Sequence, residues 1–238
     1  KNTDITLSIK GFRPDWSLIG EIYAIGLPAI ISQALMTVMT YGLNVIFGQL
    51  PQVGERAVTV YGLYCKVQQL ILFAAYGVRD AITPIVSYNF GMGSRPRVKA
   101  GIRCGLIFTL SLMAAGLVVI EAAAAPLTGV FALSDVTYAM CVSCMRIMSL
   151  AFVFAGTSIA LQGVFQAMGC GMESLVVSAG RQVVFILPVA WLLARFVTGA
   201  DNVSLVWWTF LIGEGLTLLC AVLLYRRTVR RKVAALEA

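Results

Sequence analysis

Six apolar runs, each long enough to cross a bilayer, leave this chain few ways to fold. A helix needs about 20 predominantly apolar residues to span a hydrocarbon core about 30 Å thick. The runs cover about Ile19 to Leu50, Ala57 to Asn89, Ala100 to Ala124, Tyr138 to Met168, Ser174 to Phe196 and Val203 to Tyr225. Short connections rich in turn residues separate them, among them Pro51-Gln52-Val53-Gly54, Gly91-Met92-Gly93-Ser94-Arg95-Pro96 and Thr198-Gly199-Ala200-Asp201-Asn202. Hydrophobic residues make up 59% of the chain and charged residues 12%, against about 45–50% and about 25% in soluble domains. That surplus has to face lipid. The expected fold is all-α: a polytopic membrane protein built as a six-transmembrane-helix bundle.

Six spans return the chain to the side on which it started, so Lys and Arg decide the sides. Lys1, Lys10 and Arg13 precede the first run. Arg95, Arg97, Lys99 and Arg103 surround the second connection, and Arg226, Arg227, Arg230, Arg231 and Lys232 follow the last run. The opposite side holds only Arg56 and Arg195. Both termini are therefore predicted to be cytoplasmic. The same bias accounts for the net charge of +7 without nucleic acid as a partner. The tail could anchor anionic lipid; the plainer reading, a stop-transfer cluster, is preferred. The divisions expected are a linker at 1–16, a six-helix transmembrane lobe at 17–226 and a basic cytoplasmic tail at 227–238. The chain starts at Lys1 without Met, and the linker reads as cut from a longer chain.

Chemistry-bearing motifs are few. The chain has no His, which removes His triads, His metal sites and most general-base chemistry near neutral pH. Cys141-x-x-Cys144 stands without a second ligand pair, and a zinc site needs four ligands or three plus water. The six cysteines lie in the runs or at a helix end and read as small buried hydrophobes. No catalytic or metal residue is assigned, and no enzyme is expected.

Polar side chains facing lipid are costly, so their spacing marks the inner faces. Gln33, Thr37, Thr40 and Asn44 form one helical stripe on the first run, beside Met36, Met39 and Tyr41. The second places Tyr61, Tyr64, Gln68 and Arg79 on roughly one face. The fourth has Ser158, Gln162 and Gln166 at steps of four. The candidate cavity residues are therefore Gln33, Met36, Thr37, Thr40, Asn44, Tyr61, Tyr64, Gln68, Ser158, Gln162 and Gln166. The competing reading is hydrogen bonding between helices. The intramembrane charges are Arg79, Asp80, Arg181 and Glu214. Arg79 and Asp80 point about 100° apart on a helix and need not pair. Glu214 is a candidate ion site if alone, and structural if Arg181 is its partner. Pro28, Pro84 and Pro188 are candidate kinks.

These residues resemble a known family. Gly26-Leu27-Pro28-Ala29-Ile30 followed by Tyr41-Gly42-Leu43-Asn44 is similar to the first helix of the second lobe of the multidrug and toxic compound extrusion (MATE) transporters. Thr83-Pro84-Ile85-Val86-Ser87-Tyr88-Asn89-Phe90-Gly91 resembles the cytoplasmic end of that lobe's second helix. Gln162-Gly163-Val164-Phe165-Gln166-Ala167-Met168-Gly169 and Arg181-Gln182 through Leu187-Pro188 resemble its fourth and fifth helices. The resemblance spans about residues 10–230. It implies half of a two-lobe antiporter that exchanges drug-like, often cationic amphipathic compounds for protons or sodium by alternating access in the bacterial inner membrane. It implies no cofactor, and the missing N-terminal lobe as partner. Some branches carry an acid within the first helix of this lobe; here Gln33-Ala34-Leu35-Met36-Thr37-Val38 has none, nor has Phe152 to Ser158. The coupling carboxylate is therefore expected in the first lobe. A lipid or precursor flippase of related fold, or a half-size homodimeric transporter, is the alternative.

Overall fold

The computed structural model describes residues 15–237, apart from the side chains at 21, 24, 25, 28, 29 and 237. The expected linker therefore lies almost wholly outside the described residues, as does the side chain of Pro28.

Helix α1 (Trp16–Gly48) starts where the Asp15 carboxylate accepts from the backbone N–H of Ser17 at 2.9 Å and Leu18 at 3.3 Å, an N-cap that satisfies donors the helix cannot. The turn into α2 (Gly54–Gly91) is tight, with Gln52 at φ 63°. A Cβ at Gly54 would collide with the backbone carbonyl of Gly48, and backbone cannot move aside as a side-chain tip can. Gly54→Ala is expected to cost about 1–3 kcal/mol. An unchanged melting midpoint in detergent would show that the turn tolerates a side chain.

Helix α3 (Arg95–Gly129) follows a turn with Gly93 at φ 70° and carries Pro96 in its first turn, where the missing N–H removes no helical bond. The fourth run is not one helix. It breaks into α4 (Asp135–Ser149) and α5 (Phe152–Ala167), bent by 46°. No proline or glycine sits at the break. The Ser149 hydroxyl donates to the Arg146 carbonyl at 2.8 Å and lies 3.1 Å from Glu121 Oε1. A hydroxyl bonded back to its own helix competes with the backbone ladder and bends it.

The fifth run also departs from a plain helix. α6 (Gly171–Ala179) passes into a wide π-type turn (Gly180–Val184) before α7 (Ile186–Ala194). Pro188 explains the position. Its ring displaces the carbonyl four residues back, which belongs to Val184, the last residue of the wide turn. Pro84, by contrast, lies inside α2 without interrupting it. After α7, Asn202 ties the connection down, accepting from Thr198 and Gly199 N–H and donating to Phe196 carbonyl. Helix α8 (Ser204–Leu224), a second wide turn (Tyr225–Val229) and α9 (Arg230–Ala234) complete the path. The division at 226/227 thus falls inside a helical stretch. Lys232 Nζ donates to the Met168 carbonyl at 3.1 Å, and Val229 and Val233 are buried.

Five helical stretches are long and apolar enough to cross a membrane, and the bent α4–α5 pair makes a sixth. Their outer surfaces remain apolar: Phe108, Val118, Trp191, Leu219 and Leu223 are all more than half exposed. An apolar surface of that extent is one that lipid or another packed helix covers. Inside, α5 packs on α2, α3, α6 and α8, while α1 lies at the periphery against α2, α6 and α7. The core forms two clusters. One gathers Phe47, Tyr61, Tyr64, Met113, Met148, Ile186, Trp207 and Phe210. The other gathers Val86, Ile102, Val164, Phe165, Val177, Ala221 and Val233. Along the helices, Arg79, Thr109, Arg181, Glu214 and Thr217 fall between the two. The bundle therefore has a polar waist between two apolar halves.

Candidate functional site

A cavity of about 460 Å³ opens between α1 and α2. From α1 it takes Gln33, Met36, Met39 and Thr40; from α2 it takes Tyr61, Cys65, Gln68, Gln69, Leu72, Phe73, Tyr76 and Arg79. The α2 positions 61, 65, 68, 72, 76 and 79 recur at three and four residues, so one continuous helix face forms the wall. Two other hollows, of about 510 and 530 Å³, lie along α4. They are more open, and neither is lined by an amide side chain; the first carries Tyr138 and Arg146, without the methionines and the run of glutamines of the α1–α2 cavity.

The expected residues divide into three groups. Gln33, Met36, Thr40, Tyr61 and Gln68 line the cavity together. Thr37, Asn44 and Tyr41 lie on α1 outside its lining, with Tyr41 73% exposed. Tyr64, Ser158, Gln162 and Gln166 are elsewhere. Tyr64 is buried in an aromatic cluster, its ring 6.2 Å from Phe210. Ser158 and Gln162 are buried in α5, the helix enclosed by four neighbours, so they face the bundle centre rather than the α1–α2 opening. Gln166 is exposed and donates to Ser174 at 3.2 Å, tying α5 to α6. Five lining residues, Met39, Cys65, Gln69, Leu72 and Phe73, lay outside the candidate set, as did Tyr76. The signal available was the unbroken face on α2, which a search for polar side chains alone passes over.

Arg79 stands at the cavity wall. Its guanidinium bonds the adjacent Asp80 at 2.8–2.9 Å and lies 4.9 Å from the Tyr76 ring centre. The pairing differs from the expectation that neighbours point apart. The arm of Arg79 is long enough to reach round the helix, and the pair is neutral. Several hydroxyls are satisfied inside their own helices: Thr40 donates to Met36 carbonyl, Thr83 to Arg79 and Thr217 to Gly213. The Tyr61 hydroxyl is different. It is buried without a protein partner, in a residue that lines the cavity.

At the waist, Arg181 Nε donates to Glu214 Oε1 at 2.7 Å, with both side chains buried. The pair joins the wide turn of the fifth span to α8, so Glu214 is not alone. A mutually neutralised pair is the form in which charge is tolerated at membrane depth.

A helical bundle with apolar flanks, a polar cavity at one side and a neutralised ion pair inside is a polytopic membrane transporter lobe. The MatE family profile matches residues 28–192, and the chain belongs to that family, a family of transporters rather than enzymes. The chain is 25% identical over 224 residues to the multidrug export protein MepA of Staphylococcus saprophyticus, an alignment covering 94% of this chain and 48% of the relative. It is 26% identical over 230 residues to MepA of Staphylococcus aureus strain bovine RF122, with the same coverage. The chain thus spans about half the length of the curated relatives it matches. Among solved structures, the outward-facing form of a multidrug resistance MATE family transporter of the MOP superfamily aligns with a TM-score of 0.86 at 20% identity, over 99% of this chain and 51% of that one. That likeness is one of fold.

Proposed function

We propose that this chain is the C-terminal six-helix half of a multidrug efflux antiporter, and that the α1–α2 cavity is its share of the substrate path. The observation that carries this reading is the cavity lining: amides, methionine, aromatic rings and a buried tyrosine hydroxyl without a protein partner, set in a MatE-family lobe. Met and aromatic surfaces repack around ligands of varied shape. The wall carries no net charge once Asp80 balances Arg79, which suits amphipathic compounds. Charge selection for cations then falls to the other half. No carboxylate lines the cavity among the described residues, which supports placing the proton- or sodium-coupling acid in the N-terminal lobe. The Lys and Arg bias supports cytoplasmic termini in a bacterial inner membrane.

The test is efflux of a fluorescent lipophilic cation from cells producing the full-length protein. Efflux is expected to stop when the proton and sodium gradients are both dissipated, and efflux that survives sinks the coupled mechanism. Gln68→Ala and Tyr61→Phe should each raise KM about tenfold, the loss of one contact of about 1.4 kcal/mol. Unchanged drug tolerance together with lost lipid-precursor flipping would favour the flippase reading.

A further inference from the structure

The end of the lobe where α3 begins and α9 finishes holds a hollow of about 320 Å³. Lys99 and Arg95 reach it from the first turns of α3, and Arg230 from α9. Its apolar lining includes Ile102 and Val233, 4% and 5% exposed, and Tyr225 borders it. The residues come from stretches more than 100 residues apart in sequence, yet they converge. The wide turn at Tyr225–Val229 places Tyr225 and Arg230, five apart in sequence, at the same hollow. Such turns are uncommon and concentrate at functional sites.

Arg95 makes a further interaction of its own, so the argument rests on the other two cations. Neither Lys99 nor Arg230 forms an ion pair among the described residues. Both are exposed at the rim of the hollow, so their charges are open to an anion arriving from the membrane surface. The hollow sits where two membrane-crossing stretches, Arg95–Gly129 and Ala200–Ala234, reach their charged ends. That is headgroup depth. Further along the same helices, Phe108, Leu219 and Leu223 are exposed and apolar, the surface along which acyl chains lie. Cations beside a phenol and aliphatic side chains match an amphipathic anion better than a free inorganic one. The bond from Lys232 to the Met168 carbonyl fixes α9 in place, so the hollow is built and does not depend on a loose tail.

We propose that this hollow binds the phosphate headgroup of an acidic phospholipid, with Lys99 and Arg230 as the charged ligands and Tyr225 as a hydroxyl donor. It is separate from the α1–α2 cavity and does not depend on the transport reading.

The test uses purified protein in neutral detergent, where no membrane surface potential acts. Phosphatidylglycerol, phosphatidylcholine and inorganic phosphate are titrated separately, with retained lipid read by native mass spectrometry and stability by thermal melting. Phosphatidylglycerol is expected to bind and raise the melting midpoint, and the other two are not. The double variant Lys99→Gln with Arg230→Gln should weaken phosphatidylglycerol binding on the order of tenfold or more. Arg226→Gln with Arg227→Gln removes the same charge from exposed positions outside the hollow and should weaken it less than about threefold. Equal losses in the two double variants would overturn the proposal in favour of diffuse charge. Equal stabilisation by inorganic phosphate would overturn it in favour of a soluble anion.

Discussion

Glu214→Ala is expected to lower the stability of the lobe by about 3–5 kcal/mol, because it leaves a buried guanidinium without its counter-charge. Arg181 and Glu214 are buried and bonded at 2.7 Å, and the pair lies between the two apolar clusters, where water gives little compensation. Removing the carboxylate does not remove the cost of burying Arg181; it removes what offset that cost. Glu214→Gln keeps an acceptor for the Arg181 N–H and should lose less. The paired replacement Arg181→Met with Glu214→Leu takes both charges away and should recover most of the loss. Melting in detergent across these three variants separates the terms. If Glu214→Ala alone shifts stability by under about 1 kcal/mol, Arg181 has another acceptor within reach and the pair does not lock the fifth span to α8.

The second large effect is expected at Gly163, where α5 crosses α2. A Cβ there would lie 2.5 Å from Arg79 Cγ, 3.2 Å from Thr83 Oγ1 and 3.4 Å from the Arg79 carbonyl. Leucine has no room, so the two helices must separate. Gly163→Leu should cost about 1–3 kcal/mol or more, and Gly163→Ala distinctly less, since one methyl asks mainly for a shift of the Arg79 stem. The consequence reaches the cavity. Arg79 is the residue pushed, and it is held against Tyr76 and Asp80 at the cavity wall. Gly163→Ala should therefore change KM for the transported dye while the protein remains folded. Unchanged KM with a lowered melting midpoint would restrict Gly163 to packing.

Much of the fold was legible because lipid imposes one rule on every span. Long apolar runs, the turn at Gly93-Ser94-Arg95-Pro96 and the basic ends needed no knowledge of which helix touches which. The break between α4 and α5 was not legible, since no proline or glycine marks it, and the Ser149 hydroxyl that bonds the Arg146 carbonyl also meets Glu121 of another span. Site membership failed for a related reason. Gln33 and Gln162 are the same residue type, each within a stripe of polar residues three or four apart. One lines an open cavity and the other is enclosed, because α1 lies at the edge of the bundle and α5 at its centre. A helix's own sequence shows which of its faces is polar; its rank in the packing order belongs to the whole bundle.

The wide turns carry a consequence for how these helices are phased. On a regular helix at about 100° per residue, Val177 and Ile186 would point in opposite directions, yet both are buried. The extra residue in Gly180–Val184 acts as a spacer that resets the angular count without moving the axis. A helix with a single phase can satisfy one set of neighbours along its length. With a spacer it satisfies two, one on each side of the insertion, and loss of one residue from that turn would rotate everything beyond it by about 100°.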